Sequence, residues 1–384
     1  MFASNLFARN VPVPFAIRIL VVDSATARWI LSLEVTLALT ILIDLDNTLL
    51  GNDMDTFLPA YLQGLGRCLA PFADPAKMVK SLLQATQQMI ENNQPNQTLK
   101  EVFDAHFYPS LSIAYDAVQE TLTRFYRAEF PHLKQLTQFR PEAVNLIKFA
   151  LQENYRVAVA TNPLFPATAI HQRLDWAGLP PAEIPFAHIT TYENAHFAKP
   201  NPAYYAEILA YLGWPEGPVV MIGDDIERDI LPAHTLGLDS YWVNENGYSK
   251  TPALPKTTRS GPLSALMPWL AQNDRAGSTS SYNSPIAIQA TLRATPAVLS
   301  AQLSTLPPSI WDNKPSPNHW SLTETICHMR DAEKSVNIPR LKQLLYEDNP
   351  FLVGVDTDAW VESHQYQDGG GALQEFILVS LQTL

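Results

Sequence analysis

Residues 41 to 43 are Ile-Leu-Ile, and they lead into Asp-Leu-Asp-Asn-Thr-Leu-Leu over residues 44 to 50. An apolar run without alternation is the pattern of a strand buried on both faces, so a central strand is predicted to end at Asp44 and Asp46. From Asp53 to about Phe139 the spacing becomes helical: Phe57-Leu58, Tyr61-Leu62 and Leu65 recur on one face, as do Leu111, Tyr115, Val118, Leu122, Phe125 and Tyr126. An all-helical insertion follows the first strand. Beyond it the pattern alternates, with a helix from Pro141 to Glu153, a strand Val157 to Thr161, a helix from about Pro166 to Ala177 and a strand near Ala187 to Thr191. Next come a helix from Pro202 to Leu212, a strand Val219 to Ile222, a helix from Ile226 to His234 and a strand Ser240 to Val243. Strands alternating with helices predict an α/β fold with a doubly wound parallel sheet.

Near residue 272 the pattern breaks, and the stretch from Gln272 to Pro285 reads as a flexible linker. A second, helical unit over residues 286–384 is expected beyond it. It offers a helix from about Ile286 to Leu303, the turn Pro307-Pro308, an amphipathic helix from Leu322 to about Leu345, and a last helix from Gly371 to Leu384 with Gly369-Gly-Gly371 as a hinge before it. At the other end, Phe15 to Val22 and Trp29 to Ile43 are apolar but interrupted by Arg18, Asp23, Arg28 and Glu34. Neither reaches the roughly 18 to 20 apolar residues needed to span a bilayer. A secretory signal built on Arg9 and Ala25-Thr26-Ala27 is opposed by Pro12, Pro14 and Arg18 in its core. Residues 1–38 are therefore read as a non-catalytic extension, and 39–271 as the catalytic domain.

Composition narrows the class. With 384 residues, 46% hydrophobic and 17% charged, the chain can bury more than one core. A formal net charge of -12 and no basic stripe argue against nucleic acid. Cys68 and Cys327 give no disulfide framework and no zinc spacing, which suits a reducing cytoplasm.

Four polar segments stand at or just beyond strand ends: Asp44-x-Asp46-x-Thr48, Thr161-Asn162, Lys199-Pro200, and Gly223-Asp224-Asp225 with Asp229 four residues on. In open α/β sheets ligands bind outside the carboxyl ends of strands, so these segments are expected to converge. Side chains two apart on an extended chain point the same way, so Asp44 and Asp46 can face one site if the extended geometry persists past the strand. Two carboxylates held together need a cation or a proton. Magnesium and a phosphorylated substrate meet both needs.

This ordered set resembles the haloacid dehalogenase superfamily of phosphatases across about residues 40–245. The resemblance implies that Asp44 is the nucleophile and Asp46 the general acid and base. It implies that Thr161, Asn162 and Lys199 hold the substrate phosphate, and that Mg2+ is bound by Asp44, Asp224 and the backbone carbonyl of Asp46. Thr48, Asp225 and Asp229 are supporting candidates. Asp229 can orient Lys199 or metal waters, and either aspartate can ligate metal or cap the helix starting at Ile226. The insertion at about 53–139 resembles the C1 type of cap, whose aromatics Phe57, Tyr61, Phe103, Phe107, Tyr108, Tyr115, Tyr126 and Phe130 read mainly as cap core. No large insertion lies between Thr161 and Lys199, where a second kind of cap would sit.

An acid at Asp46 favours phosphatase over carbon-halogen cleavage, because an ester oxygen leaves better when protonated. The implied substrate is a small phosphorylated metabolite. A phosphomutase of the same family and a catalytically silent ligand-binding or regulatory protein are the alternatives. The segment Trp320 to Glu333, with His328 and Asp331, is similar to the opening of a metal-binding helix in DinB-like four-helix bundles. That resemblance makes His328 a second metal candidate, although a lone His on an amphipathic helix reads more simply as packed or surface. At most three bundle helices are visible, so apolar surface is expected to be exposed, predicting a homodimer, docking on the first domain, or marginal order.

Overall fold

A computed structural model of the chain describes residues 38–245, 254–273, 282–316, 319–357, 359–364 and 366–383. The expected N-terminal extension falls outside these residues apart from position 38, as does most of the expected linker. Among the described residues no helix is long and apolar enough to cross a membrane.

The sheet is formed by β1 (Thr40–Ile43), β2 (Arg156–Val159), β3 (His188–Ile189), β4 (Val219–Gly223), β5 (Asp239–Val243) and β6 (Thr258–Gly261). All pairings are parallel, in the order β3-β2-β1-β4-β5-β6. The order reverses between β1 and β4, which is where a doubly wound sheet opens a crevice for ligands. Alternate residues of each strand feed opposite cores. Ile41, Ile43, Val157, Val159, Val220 and Ile222 point to one face, and Leu42, Ala158, Val219 and Met221 to the other. Both faces being apolar explains the absence of alternation in the sequence.

The helical insertion consists of α1 (Met54–Leu69), α2 (Pro75–Glu91), α3 (Leu99–Leu111) and α4 (Tyr115–Arg124), followed by a π turn, Phe125–Glu129, and a 3-10 turn, Phe130–Leu136. Its two connections to the sheet are paired: Gly51 N–H donates to Gln138 O at 2.9 Å and Gln138 N–H to Gly51 O at 2.7 Å. Only glycine permits that approach, because a Cβ at position 51 would lie 2.9 Å from Gln138 Cβ. Phe57, Phe107 and Phe130 of this insertion are buried. Phe130 stacks on Trp176 of the α/β core at 5.3 Å, so insertion and core share apolar contact.

Helices α5 (Pro141–Gln152), α6 (Ala167–Trp176) and, later in the chain, α9 (Leu266–Asn273) cover one face of the sheet. The other face carries α7 (Pro202–Tyr211), α8 (Leu231–Thr235) and α10 (Pro285–Ser304). The stripe Ala287, Ala290, Ala294 and Ala297 lets α10 share the buried cluster of Tyr204, Tyr205 and Ile208 on α7. The far end of α10 packs with α11 (Leu322–Ala332) and α14 (Gly369–Thr383) through Leu303, Ile326, Cys327, Leu373 and Ile377.

Between α11 and α14 lie α12 (Ile338–Tyr346) and α13 (Ala359–Ser363). A π turn, Glu333–Asn337, joins α11 to α12. The glycine cluster is not a hinge before the last helix. Gly369, Gly370 and Gly371 form its first turn, with Asp368 accepting from Gly371 N–H at 2.9 Å. Apolar side chains are exposed around α12, including Leu345, Tyr346 and Phe351. The sixth strand was not expected: Thr258-Arg-Ser-Gly carries no apolar residue, and it lies at the sheet edge where none is required.

Candidate active site

Asp44 follows the last residue of β1 and Asp224 the last residue of β4, so the two strands at the crevice deliver one carboxylate each. A third, Asp229, comes from the π turn Ile226–Ile230, where its N–H donates to Asp225 O at 2.8 Å. Its Oδ2 accepts from Asp225 N–H at 3.1 Å, which folds the side chain back onto the strand end. Ligand atoms of Asp44, Asp224 and Asp229 lie within 4.8 Å of one another.

Lys199 enters this cluster with its side chain 2% exposed. Its Nζ donates to Asp44 Oδ1 at 2.7 Å and to Asp229 Oδ1 at 2.5 Å. Burial alone would lower the ammonium, yet Asp229 and Asp44 outweigh that penalty and hold it well above its ordinary range. The carboxylates still outnumber it. Burial, then Asp229 and Asp225, push Asp224 up to about 7 against the pull of Lys199. Asp44 is likewise raised, by burial first and by its acidic neighbours, although Lys199 opposes the shift. A cluster of hard oxygen donors with surplus negative charge fits a divalent cation.

The segments around the cluster are braced from below. Thr161 O accepts from Tyr204 Oη and Thr190 Oγ1, both at 2.7 Å, which fixes the buried Thr161 at the end of β2. Asn162 Oδ1 accepts from Lys199 N–H at 3.2 Å, joining two of the expected segments. Glu207 on α7 accepts from His196 N–H at 3.0 Å and meets His196 Nδ1 at 2.6 Å. That buried pair anchors the loop that carries Lys199. Trp242 Nε1 donates to Asp224 O at 2.8 Å and holds the end of β4.

Asp46 departs from the simplest expectation. The chain does not stay extended past β1: Thr48, Leu49 and Leu50 N–H all turn back to Leu45 O, and Asn47 adopts a left-handed φ of 57°. The Asp46 carboxylate therefore has its own partners. Asn52 Nδ2 donates to Oδ1 at 2.7 Å and Arg173 Nη1 to Oδ2 at 2.5 Å. It remains within electrostatic reach of Asp44, whose protonated form it helps to favour.

The remaining candidates separate. Thr48 is buried, with Oγ1 meeting no partner among the described residues. Asp225 caps the turn after β4, its Oδ1 accepting from Glu227 and Arg228 N–H at 2.9 Å each. Asp229 lies in the acidic cluster and its Oδ1 accepts from Lys199 Nζ. His328 is buried on α11 beside Trp320, ring centroids 4.8 Å apart, and belongs to no group of three metal-ligating side chains among the described residues. Arg173, Glu207 and Asn52 were not picked out from the sequence; a charged residue at an apolar helical register, as at 173 and 207, is the signal available for the first two.

A parallel sheet with acidic and basic groups gathered at its switch point defines an α/β enzyme domain. The haloacid dehalogenase-like hydrolase model matches residues 39–237, and the chain belongs to that family. A curated relative, haloacid dehalogenase-like hydrolase domain-containing protein 3 of Danio rerio, is 38% identical over 66 residues, 17% of this chain and 27% of that protein. The chain thus aligns with about a quarter of that relative's length. Among solved structures, a HAD phosphatase from Thermococcus onnurineus is 18% identical with a TM-score of 0.41, covering 60% of this chain and 97% of that one. A 2-haloacid dehalogenase from Pseudomonas syringae pv. tomato is 21% identical with a TM-score of 0.43, covering 62% and 99%.

Proposed function

We propose that this hydrolase is a magnesium-dependent phosphatase acting on a small phosphorylated metabolite through an Asp44 phosphoryl intermediate. The observation that carries this reading is the surplus of carboxylate around the nucleophile: Asp44, Asp224 and Asp229 cluster together, and the one ammonium beside them, Lys199, pairs with Asp44 and Asp229. Displacing a halide from carbon requires neither a cation nor a proton donor. Transferring a dianionic phosphoryl group onto a carboxylate requires positive charge.

Asp44 and Asp224, with the backbone carbonyl of Asp46, would hold the ion. Bound there, magnesium supplies positive charge to the phosphoryl oxygens. Lys199 adds a fixed charge beside Asp44 and restrains its carboxylate for attack. An oxygen of Asp44 bonds to phosphorus as the bond to the ester oxygen breaks, and Asp46 gives that oxygen its proton. Asp46 then takes a proton from water. The water oxygen bonds to phosphorus, the bond to Asp44 breaks, and inorganic phosphate leaves with Asp44 restored.

Phosphate release from an aryl phosphate with magnesium tests the proposal, alongside halide release from a 2-haloacid. Phosphate without halide supports it; halide without phosphate contradicts it. Sugar-phosphate isomerisation with little free phosphate would identify a mutase instead.

A further inference from the structure

Arg173 lies on α6 within a run of core residues, Ile170, Leu174 and Trp176, and its side chain is 0% exposed. Taking a guanidinium out of water costs several kcal/mol, and an apolar residue at this position would fill the core without that cost. The charge has one ionic partner among the described residues, Asp46 Oδ2 at 2.5 Å. Arg173 Nε and Nη2 meet no acceptor among those residues, and the guanidinium carbon sits 4.7 Å from the centroid of the Phe165 ring. A buried cation with most of its donors unused is poor structural glue. Its placement makes sense through the group it touches.

That group is held from both sides. Asn52, 1% exposed, binds Oδ1 of Asp46 while Arg173 binds Oδ2, and the Asp46 side chain is still 21% exposed. A carboxylate offers about four lone-pair sites, so two donors fix its plane and leave sites on its open side. The two donors come from different parts of the fold, one from the loop entering the helical insertion and one from a core helix.

We infer that Arg173 is a positioning residue for proton transfer: with Asn52 it fixes the plane of the Asp46 carboxyl so that its open side meets the leaving oxygen and then the attacking water. The inference rests on the phosphatase reading of Asp46. General acid assistance matters for a poor leaving group and little for a good one, so loss of positioning has a signature that loss of folding lacks.

The test uses the full chain with magnesium and compares an alkyl phosphate with p-nitrophenyl phosphate for wild type, Asp46→Asn, Arg173→Met and Arg173→Lys. Arg173→Met is expected to lower kcat/KM, which reports the transfer to Asp44, about 100-fold on the alkyl ester and only a few-fold on the aryl ester, while kcat falls on both through slower attack of water. Arg173→Lys is expected to recover part of the selective loss, because it restores one donor without the planar fork. Equal losses in kcat/KM on both esters would overturn the inference. So would a selective loss in Asp46→Asn that is absent from both Arg173 variants. If Asp46→Asn shows no selectivity, the acid–base reading of Asp46 itself fails and the inference with it. Should Arg173→Met not fold, Asn52→Ala removes the other arm and decides by the same ratio of losses.

Discussion

Gly223 and Asp229 compete for one volume: a Cβ on Gly223 would lie 2.1 Å from Asp229 Oδ2 and 2.4 Å from its Cγ. The bare backbone at the end of β4 is what allows Asp229 to fold back and reach Lys199 at 2.5 Å. A glycine six residues before a turn aspartate is thus part of the site's geometry.

Gly223→Ala should therefore act on chemistry as well as packing. Overpacking costs about 1–3 kcal/mol of stability. Displacing Asp229 releases Lys199 from one of its two carboxylates, and a shift of that size in a positioned group lowers kcat about 100-fold. Steady-state kinetics and a thermal melt on the purified variant check both; wild-type kcat with a lowered Tm would show that Asp229 does not position Lys199.

Glu207 makes a second, indirect connection to Lys199. Its carboxylate receives the His196 N–H and ring, so Glu207→Ala leaves buried donors unpaired at a cost of about 2–3 kcal/mol. The expected outcome is a lower Tm together with a lower kcat, since the loop bearing Lys199 loses its anchor. Glu207→Gln, which retains an acceptor, should fall between the two. A variant with unchanged melting and activity would contradict this bracing role.

Metal binding should be coupled to pH. Burial and the neighbouring carboxylates raise Asp224 from its ordinary 3.8 to about 7, and Asp44 and Asp229 are raised as well. A carboxyl raised by folding holds a proton that the unfolded chain has already released. Without metal, stability contributed by this cluster therefore falls as pH rises from the ordinary carboxylate range through about 7. A divalent cation takes the place of those protons. The gain in Tm from saturating magnesium should be larger near about pH 8 than near about pH 5 in a melt series. Equal gains at both would show that no site carboxylate titrates on metal binding.

The parts of this arrangement that follow the sheet were legible in the sequence. Asp44, Thr161 and Asp224 sit where apolar strands end, and a parallel sheet brings such ends together whatever the length of chain between them. The groups that orient them were not legible. For Arg173 and Glu207 the sequence offers only a charged residue at an apolar helical register, which does not name a partner, and their burial arises from packing between elements distant in sequence. Asp44 and Asp46 were expected to face one site alike if the chain stayed extended past β1, which it does not. The left-handed turn at Asn47 separates their partners instead, and periodicity carries no signal for such a turn. The strand Thr258–Gly261 escaped because edge pairing is a backbone property its polar side chains do not announce.

Everything proposed for this site turns on Asp44 as the nucleophile of a metal-supported phosphatase. The most direct test is magnesium-dependent phosphate release from an aryl phosphate by wild type and Asp44→Asn, with a thermal melt to verify that the variant is folded. Turnover is expected from wild type and none above background from folded Asp44→Asn. Phosphate release that survives in the variant would contradict it.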